Sequence, residues 1–112
     1  MSYAIVLTDK TNMLRHWVLW DIPSATMSLP ANLAKTAMLA MPAGAKQVSI
    51  QNNGYAGPCP PAGTMHTYEF AVYALDVATL PGVTTNSMPM AVETAVLAHQ
   101  LAKATLTGQG MR

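Results

Sequence analysis

The stretch "MHTYEFAVYALD", residues 65 to 76, carries the clearest strand signal in the chain. Successive side chains of a strand point to opposite sides. One face therefore shows His66, Tyr68, Phe70, Val72 and Ala74, and the other Thr67, Glu69, Ala71, Tyr73 and Leu75. Both faces are largely apolar, as in a strand covered above and below. The segment predicts a central strand, and the rest of the chain has to build a sheet around it.

Working upstream, "NGYAGPCPPAGT" (53 to 64) is dense in glycine and proline. Those residues fix a loop's shape instead of leaving it loose. Before it, "KQVSIQN" (46 to 52) reads as a short strand. At the front, "YAIVLT" (3 to 8) and "HWVLWDI" (16 to 22) are two strands joined by seven residues of polar turn. An antiparallel hairpin is the economical arrangement. Strict alternation puts His16, Val18, Trp20 and Ile22 on one face and Trp17, Leu19 and Asp21 on the other. Pro23 ends that strand, and 24 to 45 reads as loop with one short helix over 31 to 40.

Working downstream, residues 88 to 102 predict a helix. Asn86 or Ser87 can cap it, Pro89 suits the first turn, and Val92, Val96 and His99 share a stripe. "KATLTG" (103 to 108) reads as a last strand. The order β-β-loop-β-β-α-β implies one mainly β domain over 1 to 112, an antiparallel sheet with one C-terminal helix near its end.

The totals narrow the function. The 112 residues suffice for one compact core and not for two. Charged residues make up 10%, against about a quarter in an ordinary soluble domain. Part of the surface is thus expected to lie under a partner subunit or to be rich in neutral polar groups. A formal charge of +1, with Lys10, Arg15, Lys35, Lys46, Lys103 and Arg112 scattered, argues against nucleic acid or an anionic membrane as partner. No apolar run approaches the length of a membrane span. "MSYAIVLTD" has no basic leader region, so a cytoplasmic location is expected. Cys59 is the single cysteine and reads as a small buried hydrophobe. The nine methionines read as flexible core filler.

Three histidines, five carboxylates and one cysteine are the whole reactive inventory. His16 and His66 each open a strand, and on neighbouring strands their rings would meet at one edge of the sheet. Asp9 sits beside them in the hairpin turn, and Tyr68 shares the face of His66. The rigid loop would form a wall of the same place. Two imidazoles, a carboxylate and a phenol suit a small anion, because imidazole and backbone N–H groups donate to oxyanions and a carboxylate fixes a tautomer. No nucleophile motif, phosphate loop or zinc pattern is present, and no cofactor or metal is expected. The bland alternative is that each histidine is an ordinary half-buried strand residue.

The blocks "SYAIVLTD", "HWVLWDIP", "NNGYAGPCPPAGTMHTYEFAVYALD" and "AHQLAKATLTG" together resemble the phosphatidylethanolamine-binding protein family, which includes Raf kinase inhibitor protein and bacterial relatives. The resemblance covers nearly the whole chain. It implies an antiparallel β fold with a small cavity for phosphate, phosphorylated head groups or carboxylates. It places the ligand-binding roles on Asp9, His16, His66 and Tyr68, with the wall from Gly57 through Pro58 and Pro60 to Pro61. Two motifs depart from the family. Its Asp-Pro-Asp-x-Pro reads "DKTNM" here, and its His-Arg reads His66-Thr67. The lost aspartate and lost arginine would have paired, so their joint absence leaves no unpaired charge. Family members also carry strands before the equivalent of "SYAIVLTD". The expectation is a homodimer whose second chain covers the exposed edge, unless the sequence is a shortened form. A weak hydrolase of phosphate or carboxylate esters, with or without a bound divalent metal and using the same histidines, is the alternative function.

Overall fold

In a computed structural model of the chain, the described residues are 1–11, 13–24, 44–49 and 65–111. They form β1 (Ser2–Asp9), β2 (Leu14–Pro23), β3 (Lys46–Ser49), β4 (Met65–Leu75), α1 (Pro89–His99) and β5 (Gln100–Met111). One sheet runs in the order β3-β2-β1-β4-β5, and every neighbouring pair is antiparallel. The mainly β architecture with a single C-terminal helix is as the pattern implies. β4 is internal, as its two apolar faces require, with β1 on one side and β5 on the other. The anticipated helix over 31 to 40 and the glycine- and proline-rich loop lie outside the described residues, as does Cys59.

Each face of the sheet carries its own core. On one, Val6, Val18, Trp20, Ala71, Tyr73 and Leu75 pack with Val92 and Val96 of α1. On the other, Leu7, Trp17, Leu19, Ile22 and Tyr68 cluster, with Tyr3, Ile5 and Phe70 against them. Burying a side chain such as Leu7 or Val96 completely contributes about 1.5–3 kcal/mol each. Gln47, fully buried among them, accepts a 2.9 Å hydrogen bond from the Trp17 indole N–H, so the deep polar group is satisfied.

The alternation in β2 departs from the expected one at both ends. Between the pairs Tyr3↔Ile22 and Ile5↔Leu19, Trp20 and Asp21 together oppose Ala4. This is a β-bulge, with Asp21 at φ 58°. The extra residue turns Ile22 onto the face of Trp17 and Leu19, away from Trp20. Asp21 holds the bulge by accepting from the Leu80 N–H at 2.9 Å and from Lys46 Nζ at 2.7 Å. A second register shift, between Leu7↔Trp17 and Thr8↔Arg15, leaves His16 as the additional residue.

The turns also differ in detail. β2 begins at Leu14, so the hairpin turn is shorter than seven residues. α1 stops at His99 because Gln100 is extended and already pairs with Leu75, where strand pairing overrides helix propensity. The helix N-cap is Met88, with no side-chain cap. Ser87 Oγ instead accepts from the Thr84 N–H within the preceding turn. Met1, Met13, Met88 and Met90 are exposed, which corrects the reading of these methionines as core filler.

Candidate functional site

β1 separates the two histidine-bearing strands, so His16 and His66 are not on neighbouring strands as anticipated. They still converge. The odd positions of β1 (Leu7 and, at its end, Asp9) share the face of Tyr68 and Phe70, because Asp9 pairs with Tyr68 and Leu7 with Phe70. His66 lies two residues before Tyr68 on that face. His16 would point the other way in a regular strand; the bulge brings its ring instead to Tyr68. Their centroids are 5.7 Å apart in an edge-on arrangement, and the His66 ring stacks against Tyr68 at 6.3 Å. Bulges that re-aim one side chain recur beside functional sites.

Asp9 is the electrostatic hub. It is buried, and its Oδ2 lies 2.6 Å from His66 Nδ1. Its Oδ1 accepts the Thr11 N–H at 2.9 Å, a turn in which an aspartate bonds its own backbone two residues on. A carboxylate so placed fixes the His66 proton on Nδ1 and leaves Nε2 for other work. His16 is also buried, and neither ring nitrogen has a hydrogen-bond partner among the described residues. Burial pushes the His16 imidazole below its ordinary value; Asp9 pulls it back up, and His66 adds to the fall.

Thr11 and Thr67 were not legible as site residues, yet they tie the turn to β4. The Lys10 N–H donates to Thr67 O at 2.7 Å, and the Thr67 N–H donates to Thr11 Oγ1 at 2.9 Å. One main-chain bond and one to the Thr11 hydroxyl thus do the anchoring where the resemblance implies an aspartate and an arginine. The "DKT" triplet is the only sequence signal, since Asp followed two residues later by a free N–H favours such a turn. Arg15, next to His16, turns to the helix face and pairs with Glu93 at 2.9 Å. His99 is remote from this cluster and bonds Asp76 at 2.8 Å. Gly57, Pro58 and Pro60 lie outside the described residues. Among the described residues, no group of three or more His, Cys, Asp or Glu is placed to hold a metal ion.

Comparison with known proteins gives the same direction. Residues 1–111 match the profile of the phosphatidylethanolamine-binding protein. A UPF0098 protein of Aquifex aeolicus is 33% identical over 107 residues, spanning 88% of this chain and 61% of that one. Escherichia coli YbhB, also a UPF0098 protein, is 35% identical over 94 residues, spanning 82% and 58%. The chain therefore spans somewhat more than half the length of these relatives. The crystal structure of E. coli YbcL, described as a new member of the mammalian PEBP family, superposes with a TM-score of 0.79 at 27% identity. That match covers 99% of this chain and 71% of YbcL. With sequence and fold in agreement over nearly its whole length, the chain belongs to the phosphatidylethanolamine-binding protein family.

Proposed function

We propose that the chain binds a small oxyanion, phosphoryl or carboxylate, between His16, His66 and Tyr68, with Asp9 orienting His66. The observation that carries this reading is His16: a buried imidazole whose two nitrogens lack described partners, facing the Tyr68 ring that also stacks on His66. Leaving such a group unsatisfied costs about 1–3 kcal/mol, which a bound oxyanion offsets. Gly57, Pro58 and Pro60 are included as the wall of this pocket on the family resemblance. No cofactor takes part in the proposal.

Histidine ring NMR during a phosphate titration, with chelator present throughout, tests it. The His16 and His66 signals are expected to move together and saturate. His99, tied to Asp76 elsewhere, serves as the internal control. If His16 and His66 stay still, or all three drift without saturation, the reading fails.

The Asp9–His66 pair also has the geometry of an oriented general base. It favours a second reading, slow hydrolysis of phosphate or carboxylate esters with or without a divalent metal. Release of nitrophenol from its phosphate or acetate ester, lost in His66→Ala, would support it, and chelation would show any metal dependence.

We also propose that the protein works as a homodimer, and on the sequence reading alone in the cytoplasm. No helix among the described residues is long and apolar enough to cross a membrane. β5 supports the dimer. Among the described residues it bonds β4 alone, and Leu101 and Leu106 on it are 58% and 72% exposed. An edge strand with apolar side chains invites a second strand, and a two-fold axis lets β5 pair with its own copy.

A further inference from the structure

An anion needs positive charge, and the described cations are engaged elsewhere or exposed to solvent. Arg15 pairs with Glu93 on the helix face, and Lys46 pairs with Asp21 at the far end of β2. Lys103 lies 5.4 Å over the Tyr73 ring, and Lys10 is exposed in the hairpin turn. Among the described residues, the groups that face His66 are Asp9 from β1, Tyr68 from its own strand and, beyond Tyr68, His16 from β2. On β5 its register partner is Gly110, which carries no charge. Among the described residues the site therefore holds one fixed negative charge, Asp9, and imidazole is the group placed to supply positive charge by taking up a proton.

The geometry says which imidazole. Asp9 accepts from Thr11 and from His66, so it is satisfied as a carboxylate, and the His66 proton sits on Nδ1. In the neutral ring, Nε2 then presents a lone pair, which repels an oxyanion unless a proton lies between them. His16 lacks the carboxylate contact that would hold an imidazolium, and desolvation favours its neutral form. In that neutral form it gives one N–H to the ligand and no charge.

Resting on the oxyanion reading above, we propose that binding takes up one proton per site from solution, held between His66 Nε2 and a ligand oxygen. The site then accepts a phosphomonoester in a form one proton richer than the dianion, whether that proton is drawn on the ring or on the phosphate. No covalent bond changes.

Calorimetric titration with methyl phosphate tests this, run at neutral and mildly alkaline pH in buffers of different ionisation enthalpy. The expected result is an uptake approaching one proton per site on the alkaline side. Affinity then falls about tenfold per pH unit, the slope that one linked proton gives. His66→Gln, checked for folding by thermal melting, should bind more weakly with no proton uptake. If that variant does not fold, the wild-type pH slope decides alone. Saturable binding without proton exchange overturns this inference and leaves the anion site standing. Uptake that persists in His66→Gln overturns the assignment to His66. No saturable binding of methyl phosphate or of acetate removes the anion site itself, and the inference with it.

Discussion

Asp9 Oδ2 stands 2.6 Å from His66 Nδ1, while Tyr68, the residue paired with Asp9 across the β1–β4 ladder, touches the rings of both His66 and His16. One register position thus assembles a carboxylate, two imidazoles and a phenol from three strands. Replacing Asp9 by Asn keeps the shape and removes the charge. Because hydrogen bonds to a charged group contribute about 1.5–3 kcal/mol, Asp9→Asn should lower stability by about 2 kcal/mol. Urea unfolding measures it. A variant as stable as the parent would mean that the pair does not form in solution.

His16 gives the protein a pH-dependent stability of defined sign. Its folded-state value is depressed below 6.5, so the unfolded chain binds the proton more readily. Stability is then fully present above 6.5, falls as pH drops below it, and levels off below the folded-state value. Melting temperatures from neutral to mildly acidic pH should decline less steeply in His16→Phe than in the parent. Identical slopes would remove His16 as the source.

Asp21 combines a left-handed backbone with two side-chain bonds, to Leu80 N–H and Lys46. Asn adopts that backbone readily and still accepts from Leu80, losing only a partly exposed ion pair. Asp21→Asn should therefore cost less than about 1 kcal/mol. Asp21→Ala strands the buried Leu80 N–H and strains the backbone, which together cost about 2–3 kcal/mol. Equal costs in chemical denaturation would show that the bulge is held by something other than this side chain.

Leu106 is 72% exposed on the edge strand, so changing it disturbs little of the monomer's own packing. If β5 pairs with a second copy, Leu106→Glu places like charges near the two-fold axis and should leave a folded monomer in light scattering after gel filtration. A parent that is monomeric at every concentration tested would sink the dimer proposal.

Much of this protein was legible in its residues. "YAIVLT", "HWVLWDI" and "MHTYEFAVYALD" announce strands because apolar and β-branched residues in short runs have few other uses. The residues that converge, Asp9, His16, His66 and Tyr68, could be gathered by inspection because the chain has so few reactive side chains. Helix and strand limits near Gln100 were not legible, since the pairing of Gln100 with Leu75 is a long-range contact.

What only the tertiary structure decided is how those residues meet. Alternation assigned His16 to the face of Val18 and Trp20; the bulge turned it to Tyr68. A bulge adds one residue to one strand without changing the composition on either side, so period-two reading passes through it unaware. Strand order is hidden for a similar reason. β1 lies between β2 and β4 because both of its faces and both of its edges find partners there, a choice made by packing over the whole sheet. The sequence named the side chains, and the register of three strands set the 2.6 Å contact that joins Asp9 to His66.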